Sequence, residues 1–113
     1  MLTIENLRAF GADVDDGLGR CMNNESFYLR LVKMALADAG FEKLRDSLEK
    51  NDLNSAFEAA HALKGVLGNL SLTPLYVPTA ELTEQLRGRS PGDYSALLDT
   101  ILAEHARLSA LAE

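Results

Sequence analysis

The chain has one cysteine, Cys21, so an intrachain disulfide framework is excluded and a reducing compartment suits it. No apolar run approaches the roughly 18 residues that a membrane-spanning helix needs. The N-terminal stretch MLTIENLRAF places an acid early and lacks the layout of a secretory signal. Neither GxxxxGK(S/T) nor GxGxxG occurs, which leaves no glycine-rich loop to cradle a nucleotide's phosphates. Positive charge is also short: 11 Lys and Arg stand against 17 Asp and Glu, a net charge of −6, and this argues against nonspecific binding of nucleic acid. There are two histidines, His61 and His105, and no HxxxH spacing, so a metal site would need three ligands converging from separate helices. No ordering of Ser or Cys with His and Asp suggests a hydrolase. No repeat, low-complexity tract or sustained strand-like alternation is present. These absences predict a soluble cytoplasmic protein with no membrane segment, metal, cofactor or nucleotide site of its own.

What is present is helical patterning in a chain of 113 residues, 47% apolar and 25% charged, the balance of an ordinary globular protein. One domain, residues 1–113, is expected, with a bundle core over about 24–111. Thr3 caps a short helix over Ile4–Phe10 that Gly11 closes. Asp13–Met22 reads as a weak helix. Its acids Asp13, Asp15 and Asp16 lack calcium-loop spacing and read as a solvated helix start. Asn23 or Asn24 opens a long segment, Glu25–Lys50, with Phe27, Leu31, Met34, Ala35, Phe41, Leu44 and Leu48 as its core stripe and Gly40 as a kink or break. Asn51-Asp52 forms a turn before a helical run from Leu53 to Leu72. Thr73-Pro74 starts the next helix, to about Arg87, in which Pro78 predicts a local distortion or a later start. Arg87 and Arg89 read as a solvated helix end. Asp93 opens a last helix to about Ala110, whose His105 reads as an edge histidine with a hydrogen-bond partner. The sum is an all-α fold: an antiparallel up-down-up-down four-helix bundle with short extra N-terminal helical elements.

The run around His61 stands out. At roughly 100° per residue, Ala56, Ala59, Leu63, Val66, Leu67 and Leu70 share one face of the helix. Phe57, Glu58, His61, Lys64, Gly65, Gly68 and Leu72 lie opposite. His61 therefore points away from the core, with a lysine at i+3 and glycines at i+4 and i+7. Two interior glycines cost a helix about 2 kcal/mol against alanine. They also clear the surface beside the imidazole for close approach by another backbone or a bulky anion. Neutral imidazole is a good nucleophile, and a nearby ammonium stabilises the charge on a transferring phosphoryl group. An exposed histidine, a lysine and cleared ground thus suit phosphoryl transfer.

The stretch AAHALKGVLGNLSLTPL resembles the signature of histidine phosphotransfer (HPt) domains, most strongly over Phe57–Leu86. The resemblance implies that His61 accepts the phosphoryl group, that Lys64 contacts it, and that Gly65 keeps the site open. It also implies a helical bundle and a partner: the receiver domain of a response regulator, with a hybrid histidine kinase as a further candidate. Mg²⁺ is expected on the receiver, not on this chain. The family usually has a glycine ten residues after the histidine, where this chain has Ser71. Gly68 and the apolar Phe57 and Leu72 are the expected docking contacts. The reading is thus a phosphorelay carrier, expected to be a monomer and not an enzyme. The alternative is a helical adaptor that binds a receiver or other partner without carrying phosphate.

Overall fold

Thr3 opens the first helix through a reciprocal cap. The Asn6 N–H donates to Thr3 Oγ1 at 3.1 Å, and the Thr3 N–H donates to Asn6 Oδ1 at 2.8 Å. In the computed structural model, which describes all 113 residues, this helix is α1, Ile4–Phe10, and it ends at Gly11 with φ of 107°. The Asp13 carboxylate caps α2, Val14–Arg20, and Asn24 caps α3, Glu25–Leu36. Then follow α4, Gly40–Glu49, α5, Leu53–Asn69, α6, Thr73–Leu86, and α7, Ser95–Ala112. Every regular element is a helix. The helix α5 packs chiefly against α4 and α6, and α6 also against α7, while α3 and α1 contact α7. The core runs as one cluster of 22 buried apolar residues from Leu2 to Leu108. At the N-terminal end the Arg107 guanidinium lies 4.2 Å from the Phe10 ring centre and donates to the Phe10 carbonyl, tying α1 to α7.

The long segment expected over Glu25–Lys50 is two helices, broken at Ala37–Ala39. At the break the Asp38 side chain accepts the Gly40 N–H at 2.7 Å. Gly40 also lies against α5, since a Cβ there would sit 3.0 Å from Leu63 Cγ. The break resets the helical phase. A stripe read continuously across it places Met34 in the core, yet Met34 is 62% exposed, and Tyr28, Val32 and the expected Ala35 are the buried residues of α3. His105 bridges the same break, with its Nε2 2.8 Å from the Leu36 carbonyl and its ring 4.3 Å from that of Phe41.

The run expected to reach Leu72 stops as a helix at Asn69. Ser71 takes φ of 55°, the Ser71 N–H donates to the Gly68 carbonyl, and the Leu72 N–H reaches back to the Leu67 carbonyl. That pair of bonds around a left-handed residue is a Schellman ending, in which glycine is the preferred residue at the position of Ser71. Serine there carries left-handed strain of about 1–2 kcal/mol. Compensation comes from α2: the Ser71 hydroxyl donates to Asp16, and the Asp13 N–H donates to the Ser71 carbonyl. The Ser71 hydroxyl bond, with the Arg20 pair, holds the Asp16 carboxyl below its ordinary range. The helix α6 starts at Thr73 and continues through Pro78, so the later start does not occur. Its buried Thr79 and Thr83 hydroxyls are satisfied by the carbonyls of Leu75 and Thr79.

Tyr28 links α3 to the end of α5. Its hydroxyl donates to the Leu70 carbonyl at 2.8 Å, and its ring leaves no room for a Cβ on Gly17 of α2. Burial pushes its ionisation up to about 12 from the ordinary 10.0. The folded state therefore holds this proton more tightly than the unfolded chain. The corresponding stability is intact below pH 10.0 and is lost as pH rises toward about 12. Urea midpoints followed by circular dichroism are expected to fall over that window. Tyr28→Phe should flatten the fall while costing about 1 kcal/mol at neutral pH for the lost hydrogen bond.

Candidate functional site

His61 stands exposed near the middle of α5, where the hydrophobic face of the helix faces α4 and α6 and leaves the opposite face to solvent. Its ring stacks on Phe57, one turn earlier, with centroids 5.7 Å apart and planes 13° from parallel. The C-terminal half of α6 runs alongside. Glu84 places its carboxylate 4.0 Å from Lys64 Nζ, and two bonds of 3.0 and 3.1 Å join it to the Arg87 guanidinium. Arg87 and Arg89 both lie over the Phe57 ring, at 5.3 and 4.0 Å from its centre. Arg89, at φ of 53°, is held there by Asn54 at 3.1 Å and by the Arg87 carbonyl at 2.7 Å.

Three cations thus gather beside His61 in a chain that is acidic as a whole. The hydrogen bonds from Arg87 and its charge hold the Glu84 carboxyl below its ordinary range, with smaller contributions from Lys64 and His61. On the other side of Lys64 a polar groove of about 470 Å³ runs past Gly65, Gly68 and Ser71 to Asp13, Asp16 and Arg20 of α2. Glu58, one turn before His61, gives an E-x-x-H spacing with no second such pair in the chain. No three His, Cys, Asp or Glu side chains lie close enough together to hold a metal ion.

His61, Lys64, Phe57 and Gly65 fall on one patch. Gly65 faces open space: a Cβ there would meet nothing within 4 Å. Gly68 differs, because a Cβ there would lie 3.0 Å from the ring of Tyr76 on α6. Its missing side chain admits a neighbour from its own bundle. Leu72 is a correction. It is fully buried, not on the exposed face, because the chain leaves the helix at Ser71 and the Schellman turn folds the next apolar residue back into the core. Phe57 is half-buried under His61 and the two arginines. Nothing in the sequence pattern places Glu84, Arg87 and Arg89 at the site. The Glu84–Arg87 pair is legible as an i,i+3 spacing, but its distance from His61 depends on how α6 folds back.

The glycines should therefore respond differently to substitution. Gly65→Ala is expected to raise stability by about 1 kcal/mol, or roughly 4 °C in Tm, through helix propensity alone. Gly68→Ala should gain less, because Tyr76 must shift to admit the methyl group. Thermal unfolding of the two variants side by side checks this.

A family model described as the Hpt domain matches residues 32–111, which is most of the chain. The protein belongs to this family of histidine phosphotransfer domains. Such domains are helical bundles that carry phosphoryl groups in two-component signalling and are not enzymes in themselves, so this chain takes part in two-component phosphotransfer. No match was found among curated proteins or among solved structures. No helix is long and apolar enough to cross a membrane.

Proposed function

We propose that this chain relays a phosphoryl group between His61 and the aspartate of a response-regulator receiver domain. The observation that carries the reading is the exposed imidazole one turn from Lys64, beside the open surface at Gly65. In the transfer, an unprotonated ring nitrogen of His61 attacks the aspartyl phosphate in line. The N–P bond forms as the P–O bond to aspartate breaks, and that electron pair returns to the aspartate carboxylate. The proton on the other ring nitrogen is then free to leave to water. Lys64 pairs with the phosphoryl oxygens as their charge spreads, and the receiver supplies the Mg²⁺. Reversal passes the group to the next aspartate.

The open flank at Gly65 and the aromatic surface of Phe57 form the docking patch in this reading. Gly68 contributes by letting Tyr76 seat closely, and Leu72 contributes from the core. Consecutive helices joined by only three residues, α4 to α5 and α5 to α6, turn back on one another, which favours an up-down-up-down arrangement. We further propose that residues 1–113 act as one domain, as a cytoplasmic monomer, with a hybrid histidine kinase as an additional partner.

The test is transfer from a phosphorylated receiver in the presence of Mg²⁺. Acid-labile, alkali-stable label is expected on this chain, mapped to the peptide that contains His61. Binding to several receivers without label on any of them would replace the relay with the adaptor.

A further inference from the structure

We infer that Glu84 stands in for the phosphoryl group on Lys64 while His61 is free, and so limits how tightly His61 holds a phosphoryl group once it arrives. The inference rests on the roles proposed above for His61 and Lys64. Glu84 comes from a different helix, yet its carboxylate is 4.0 Å from the Lys64 ammonium. Lys64 itself is only 29% exposed. The same carboxylate is bound at both oxygens by Arg87. Its two partners are thus held unequally: Arg87 through two bonds of 3.1 and 3.0 Å, and Lys64 through one contact of 4.0 Å, at the outer limit of an ion pair.

A lysine ammonium is a point charge on a flexible stem, whereas the guanidinium fork is matched to a carboxylate. When a phosphoryl group bearing about two negative charges forms one turn away, Lys64 is therefore the partner that moves. Glu84 keeps Arg87 and is not left unpaired. The exchange has a consequence for transfer. The new anion must compete with Glu84 for Lys64. Glu84 thereby weakens the phosphohistidine relative to the phosphoaspartate, which helps a carrier that must release what it receives. Glu84 does not touch the reacting atoms in this account and is a positioning residue acting through Lys64.

The experiment compares the wild-type chain with Glu84→Gln, Lys64→Ala and the double variant. Each is equilibrated with the same phosphorylated receiver and Mg²⁺. Glu84 is well exposed, so the glutamine variant should fold normally. The ratio of phosphohistidine to phosphoaspartate is expected to rise about two- to fivefold in Glu84→Gln. The phosphoryl group of the variant should also titrate at lower pH by phosphorus NMR, because Lys64 then serves it alone. In the Lys64→Ala background the Glu84 substitution should change neither quantity. An unchanged ratio in Glu84→Gln, or a shift that persists without Lys64, would overturn the inference and leave the relay standing. Failure of the wild-type chain to take label on His61 would overturn the relay reading and this inference with it.

Discussion

Replacing His61 with glutamine is expected to abolish phosphoryl acceptance completely and to leave the fold unchanged. The imidazole nitrogen is the only nucleophile in the proposed transfer, and an amide cannot replace it. Structurally the substitution is mild. His61 is exposed, it lies on the solvent face of α5, and glutamine favours helix at least as well as histidine. A stability change within about 0.5 kcal/mol is expected. His105→Gln should show the opposite pattern. His105 is half-buried, bonded to the Leu36 carbonyl and packed on Phe41, so its loss should weaken the fold and leave labelling of His61 intact. Transfer assays and urea unfolding on the two variants separate the roles. Label persisting on His61→Gln would sink the assignment of the acceptor.

Leu72→Ala is expected to cost about 3 kcal/mol, within the usual range for emptying a buried leucine site, and to lower Tm on the order of 15 °C. The side chain is fully buried just past the Schellman ending of α5, where it closes the turn into α6. An exposed docking contact would cost almost nothing in stability and would weaken partner binding instead. Thermal unfolding decides between them. A Tm within 2 °C or so of the wild type would return Leu72 to the surface. The folded fraction of the variant should still accept phosphate, because no atom of Leu72 is needed at His61.

The helices were largely legible in the sequence because their signals are local. Caps at Thr3, Asp52 and Asn24 satisfy nearby N–H groups, and Gly11 marks a left-handed stop. The phase of His61 against Leu63 and Leu67 follows from helical periodicity alone. A local pattern fails where the chain breaks the helix. A stripe continued through Ala37–Ala39 from α3 into α4 puts Met34 inside, where the structure has it exposed. The α5 wheel continued through Ser71 puts Leu72 outside, where the structure has it buried. In both cases the three residues between two helices, Ala37–Ala39 and Leu70–Leu72, interrupt the phase, so one wheel does not hold across them.

The sequence by itself determined the family, the all-helical class and a histidine on the solvent face with a lysine at i+3, because each depends on residues within a few turns of one another. Only the tertiary structure decided what surrounds that histidine. Glu84, Arg87 and Arg89 lie 23 to 28 residues beyond His61 and reach it because α6 packs along α5. Tyr76 fills the space at Gly68 for the same reason, while Gly65 stays open. Ser71 could replace the usual glycine because Asp16, 55 residues earlier, holds its hydroxyl. Contacts at such separations are set by how whole helix faces pack, and spacing along the chain carries no record of them.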